Sequence, residues 1–137
     1  NEALGIFSVI TLALTSILYY QHPETEYFIW IHHMDSKTFI IHKIKIAICN
    51  TLLIILPMFI LVVVVWPSYL LWTVSGVLSA LMFLATVIAA KYTIYPQLFN
   101  LPLVLALLLG LVAPPLLLIL FPILYNKAVK NLKPLLL

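Results

Sequence analysis

Apolar residues fall into four long blocks, residues 3–20, 46–66, 69–90 and 101–125, with short polar interruptions between them. The second block, IAICNTLLIILPMFILVVVVW, would rise roughly 31 Å as a helix, enough to cross a hydrocarbon core of about 30 Å. None of the blocks alternates apolar and polar positions in short runs, as the strands of a membrane barrel must. Backbone polar groups in lipid must be bonded within their own segment, so the blocks are expected to be helices. The interruptions agree. Trp66-Pro67-Ser68-Tyr69 reads as a tight turn with interfacial aromatics on both sides, and Lys91, Tyr92 and Tyr95-Pro96 close the third block. The fourth block carries Gly110 and Pro114-Pro115 near its middle, which break it there.

The longest polar interruption, residues 21–45, reads as two helical pieces. Pro23 suits a first helical position, and Glu24 and Glu26 suit the positive end of a helix dipole. Tyr27, Trp30 and Met34 follow at i, i+3 and i+7, with Phe28 and Ile31 beside them. That spacing predicts a short amphipathic helix over residues 23–33. Asp35 or Ser36 can cap a second helix, which runs through Phe39, His42 and Lys43 into the second block. The expected fold class is all-α: a polytopic helical membrane protein forming one transmembrane domain over residues 1–137. Its segments are about 3–20, 23–33 (interfacial), 36–66, 69–91 and 101–125, with a helix–turn–helix elbow at 23–45.

Composition makes the bilayer assignment firmer. The 137-residue chain is 65% hydrophobic and 8% charged, with a mean hydropathy of +1.21. Soluble domains carry about a quarter charged residues. Residues 3–20 have no basic stretch before them and no small-residue cleavage site after them, so a membrane span is expected there in place of a signal peptide. All seven basic residues are lysines. They form no basic stripe with interleaved aromatics, which argues against a nucleic-acid partner. Lys37, Lys43 and Lys45 place the 21–45 loop on the cytoplasmic side, and the lysine-free 66–69 turn is then external. Lys91 falls inside. Lys127, Lys130 and Lys133 follow the fourth block, so a full crossing would put them outside. Each half of that block would rise only about 18 Å, too little for two crossings. Charge favours a broken or re-entrant segment that returns the tail to the cytoplasm. The single Cys49 permits no internal disulfide.

Candidate chemistry is concentrated in HHMDSKTFIIHKIK, residues 32–45, which hold three of the four histidines and three of the seven lysines. His32, His33, Asp35 and His42 are ligand types for zinc or iron. No second histidine cluster and no HExxH pair accompany them, so the expectation is interfacial polar residues and no bound metal. Ser36, His33 and Asp35 are too local for a nucleophilic triad, which gathers distant residues. No GxxxxGK[ST] loop is present. The chain is therefore not expected to be an enzyme, and no cofactor is expected. Within the blocks, Ser8, Thr11 and Thr15 share a helical face, and Ser75/Ser79 and Gly76/Ala80 are small-xxx-small pairs that suit helix packing. Asn50, next to Thr51, is costly enough in lipid to suggest a partner or a polar pathway.

The stretch ETEYFIWIHHMDSKTFIIHKIKIAICNTLLIILP resembles the cytoplasmic elbow of ABC transporter permeases of the type-2 exporter class. In that family a membrane helix ends, an acidic start leads into a short coupling helix, and a turn with Ser and a Lys-bearing helix enters the next span. Glu24–Glu26, Tyr27–His33, Ser36 and Lys43 match in that order, and ILYNKAVKNLKPLL resembles the family's closing segment. Where the family often has Leu-Pro before the turn, this chain has His33-Met34. The start at Asn1, without the family's earlier membrane helix, leads to the expectation of an N-terminally truncated piece. The resemblance implies a permease subunit in a bacterial inner membrane, paired with a second permease half as a homo- or heterodimer and driven by a separate ATP-binding cassette ATPase. It implies ATPase docking by Glu24, Glu26, Tyr27, Phe28, Trp30, Ile31, Ser36 and Lys37. ATP hydrolysis would lie in the partner subunit. The alternatives are a non-transport membrane anchor or scaffold, and a lipid-embedded metalloenzyme.

Overall fold

The computed structural model describes residues 2–20, 22, 24–25, 29–30, 34–97 and 100–136. These are overwhelmingly helical, and no strand occurs among them. Helix α1 spans Glu2–Tyr20, α2 Ser36–Val65, α3 Leu70–Thr93, α4 Leu101–Val112 and α5 Leu117–Leu136. Single 3-10 turns at Pro67–Tyr69 and Pro114–Leu116 join α2 to α3 and α4 to α5. Three stretches are long and apolar enough to cross a membrane: Ala3–Tyr20, Ser36–Val65 and Pro67–Thr93.

The α2–α3 turn is tight because Trp66 closes α2 on the Val62 carbonyl (2.9 Å) and Pro67 starts the next turn with a φ already suited to it. Gly5 of α1 lies against this turn. A Cβ at Gly5 would stand 2.8 Å from the Trp66 ring, so a hydrogen there lets the indole cross the α1 backbone. Gly76 of α3 does the same for Ile10, where a Cβ would come within 2.6 Å of the Ile10 side chain. Small residues in α3 thus set its approach to α1, as expected where packing and not water drives helix association.

α3 packs against every other helix. α2 contributes a narrow seam, Ile40, Ile44, Ala47, Thr51, Ile55 and Val62, spaced three, four or seven apart. Its other faces carry exposed Leu53, Ile54, Leu61 and Val64, as a lipid-facing helix would. α5 answers with Leu117, Leu124, Ala128 and Leu132. One core cluster joins Phe39, Ile40, Ile88, Tyr92, Ala128 and Leu132 at the end where α2 starts and α3 stops, termed the elbow end after the expected 23–45 elbow. A second gathers Val9, Ala13, Ile55, Val62 and Val77 toward the Trp66 turn.

The fourth apolar block is broken at the expected place, near Gly110 and Pro114-Pro115, into two helices, but the second runs beyond the expected end at residue 125. α4 has 12 residues, a rise of about 18 Å, which is short of a hydrocarbon core. Asn100 caps it, accepting from the Leu103 amide at 3.1 Å. The chain then turns at Ala113–Leu116, and Gly110 lies so close to Leu117 that a Cβ would meet it at 2.5 Å. α5 returns beside α3 and continues through the lysine-bearing tail to Leu136, well past Tyr125. Hydropathy falls after Tyr125, but the helix persists because Ala128 and Leu132 are fully buried against the elbow end. The tail lysines therefore stand at the same end of the bundle as the start of α2.

Candidate functional site at the elbow end

The elbow end brings together residues from four parts of the chain around Glu24. One carboxylate oxygen of Glu24 is 3.1 Å from Lys43 Nζ on α2 and 3.8 Å from Lys91 Nζ on α3. The other accepts a hydrogen bond from the Tyr92 hydroxyl at 3.0 Å. The Glu24 backbone carbonyl accepts from the Tyr95 hydroxyl at 2.8 Å. On α5, Asn131 donates to the carbonyls of Tyr92 (3.0 Å) and Tyr95 (2.9 Å), where α3 ends. Those carbonyls have no continuing helix to bond them, so Asn131 both caps α3 and ties α5 to it. The Tyr92 ring meets Phe39 of α2 edge-to-face at 5.6 Å.

The local causes are plain. Lys43 lies two turns into α2, on the side next to the buried Phe39–Ile40 seam, and Lys91 sits in the last turn of α3, where a cation complements the helix dipole. Glu24 and Thr25 are not helical, which corrects the expected helix start at Pro23. Helical bonding is first seen where the Ile29 amide donates to the Thr25 carbonyl at 3.3 Å. Glu24 is instead engaged by the two lysines and the two tyrosines. A cleft of about 370 Å³ opens beside the cluster, lined by Glu24, Lys43, Lys91, Tyr92, Tyr20 and Asn50 among others.

The residues singled out from sequence divide as follows. Glu24 is engaged inside the bundle by Lys43, Lys91, Tyr92 and Tyr95. Trp30 is exposed and Lys37 is exposed, whereas Ser36 is buried. Ile29, not singled out from sequence, is fully buried in the elbow-end core. Glu26, Tyr27, Phe28 and Ile31 lie outside the described residues, as do His32 and His33. Asp35 precedes α2 without a side-chain cap bond, and its carbonyl accepts from the Phe39 amide at 2.8 Å. Among the described residues no group of three or more potential metal ligands converges. Asn50 donates to the Tyr20 hydroxyl at 3.0 Å, linking α2 to α1. Thr51, its neighbour, is buried with its hydroxyl unpartnered among the described residues. Ser8, Thr11 and Thr15 return their hydroxyls to carbonyls of their own helix at 2.7 Å, which leaves them no further role to explain.

Lys91, Tyr92, Tyr95 and Asn131 were not legible as site residues. Lysine and tyrosine at the end of a span read as interfacial anchoring, and Asn131 lies in a polar tail. No family model matches this sequence, and no curated protein or solved structure matches it either.

Proposed function

We propose that this chain is the membrane-spanning permease subunit of an ATP-driven ABC transporter of the type-2 exporter class. In this reading residues 23–45 form a cytoplasmic helix–turn–helix elbow that docks on a separate ATPase subunit. A second permease half completes the translocator in a bacterial inner membrane. The observation that carries the reading is the Glu24 cluster. A residue within the elbow is bonded to α2 through Lys43 and to α3 through Lys91 and Tyr92. Displacement of the elbow by a partner is thereby delivered to the ends of two membrane helices, and to α5 through Asn131. Coupling of this kind requires a partner that holds the element differently in two states. Ile29 is fully buried in the core beside the cluster, so the elbow is seated on the bundle where Glu24 is held, which supports the reading further.

The test is isolation of the tagged protein from its native membranes, with the co-purified ATPase measured by mass and by ATP hydrolysis. Large aromatic anchors commonly cost about 2 kcal/mol or more when truncated. Trp30→Ala with Ile31→Ala is expected to reduce both ATPase recovery and hydrolysis while leaving membrane insertion intact. Wild-type values on both counts would remove the coupling role and leave the anchor reading.

A further inference from the structure

The tail of α5 is two-sided. Ala128 and Leu132 are fully buried at the elbow end, and the helix runs past them to Leu136. Lys127, Lys130 and Lys133 are exposed. At about 100° per residue, helical positions three apart lie about 60° apart around the axis. The three lysines therefore share one face, turned away from Ala128 and Leu132. Lys133 lies in the last turn, where the helix dipole favours a cation, but Lys127 and Lys130 lie before it. α5 contains no acid, and none of its lysines has an ion-pair partner among the described residues. Like charges on neighbouring turns of a helix repel.

The same end of the bundle carries two more lysines. Phe39 and Ile40 of α2 share a core with Ala128 and Leu132, and Lys37 and Lys45 stand exposed before and after them in the chain. Lys37 is in the first turn of α2, at the positive end of the helix dipole, and no acid lies in that turn. Lys43 and Lys91 take no part, because Glu24 engages both. Five exposed lysines thus gather at one end, and Asp35 is the one exposed acid among the described residues there. Lys45 immediately precedes the apolar run 46–66, and Lys127 comes two residues after the fourth apolar block ends at Tyr125. Both stand where hydrocarbon gives way to headgroups, and Lys37, Lys130 and Lys133 lie farther out.

From these observations we propose that the lysine face of the α5 tail, together with Lys37 and Lys45 of α2, binds the anionic phospholipid headgroups of the leaflet at the elbow end. Headgroup phosphates relieve the repulsion along α5 and supply the anion that the first turn of α2 lacks. A lipid surface suits this chemistry better than an acidic protein face. All five cations are lysines, flexible point charges without the planar fork that arginine offers to a fixed carboxylate. Two of them also sit at headgroup level. This binding goes beyond the transport reading and needs no ATPase.

The test uses the purified chain in nanodiscs of equal parts phosphatidylglycerol and phosphatidylcholine. Lipids that stay with the protein on release are counted by native mass spectrometry. Each lysine at an anionic surface is worth roughly fivefold in binding, so phosphatidylglycerol should be retained in several-fold excess. The excess should shrink as sodium chloride is raised, because exposed charges are screened. This salt dependence is read on the wild-type protein and stands without any variant. Lys127→Gln, Lys130→Gln and Lys133→Gln combined should bring the two lipids close to parity. Gln sustains a helix about as well as Lys, so the tail keeps its fold. Arg at the same three positions should preserve the excess. Equal retention of the two lipids by wild type would overturn the proposal, as would an excess that ignores salt or persists in the Gln variant. Equal retention together with an acidic protein that co-purifies with wild type and is lost from the Gln variant would overturn it in favour of a protein partner.

Discussion

The Tyr92 hydroxyl donates to the Glu24 carboxylate at 3.0 Å across 68 positions of sequence. This bond and the two lysine contacts fasten the link after α1 to the ends of α2 and α3. Replacing Glu24 by Gln keeps the side chain's size but removes the carboxylate that both ammonium groups share. Losing one member of a fully buried ion pair costs about 3–5 kcal/mol, and partial exposure here brings the expected loss down to about 2 kcal/mol. Tyr92→Phe removes one hydrogen bond and should cost about 1 kcal/mol. Thermal unfolding of the detergent-solubilised variants checks both values. A Glu24→Gln midpoint equal to wild type would show that the cluster does not hold the elbow.

Asn131 makes the corresponding tie from the tail, with one amide nitrogen serving two carbonyls at the end of α3. Asn131→Leu is expected to destabilise the protein by about 1–2 kcal/mol, because both carbonyls lose their donor. It should also free the end of α5. Limited proteolysis reads this directly: cleavage near Lys127–Lys133 should quicken in the variant while cleavage elsewhere stays unchanged.

The return of α5 beside α3 makes a topological prediction. Lys37 and Lys130 are both exposed at the elbow end, and Ser68 is exposed in the turn at the opposite end. Single cysteines at these three positions, in a Cys49→Ala background, are to be labelled with a membrane-impermeant reagent in intact cells. Positions 37 and 130 should be protected until the membrane is permeabilised, and position 68 should label at once. Labelling of 130 together with 68 would mean that α4 and α5 cross as one unit.

The membrane helices were legible because a bilayer sets their length. The expected 3–20, 36–66 and 69–91 segments differ from α1, α2 and α3 by no more than two residues at any end. The break in the fourth block was legible from Gly110 and Pro114-Pro115, but the persistence of α5 to Leu136 was not. Apolarity reports depth in the membrane, whereas that last stretch is held by two buried residues, Ala128 and Leu132, within a polar run. Glu24 was visible as an acid suited to a helix start and, through the resemblance, as a docking residue. Its real partners, Lys91 and Tyr92, come from a pairing of distant segments that no local spacing encodes.

In the proposed reading, the elbow transmits the state of an ATPase to the membrane helices. Cys49 is the only cysteine in the chain, and it is exposed on α2 within two turns of Lys43. An environment-sensitive fluorophore attached there, with the protein in lipid nanodiscs and recombined with the ATPase isolated alongside it, reports movement of α2. An emission change is expected on adding ATP with vanadate, and none is expected in Trp30→Ala with Ile31→Ala. Emission that ignores ATP while the ATPase is bound, or that responds equally in the double variant, would contradict it.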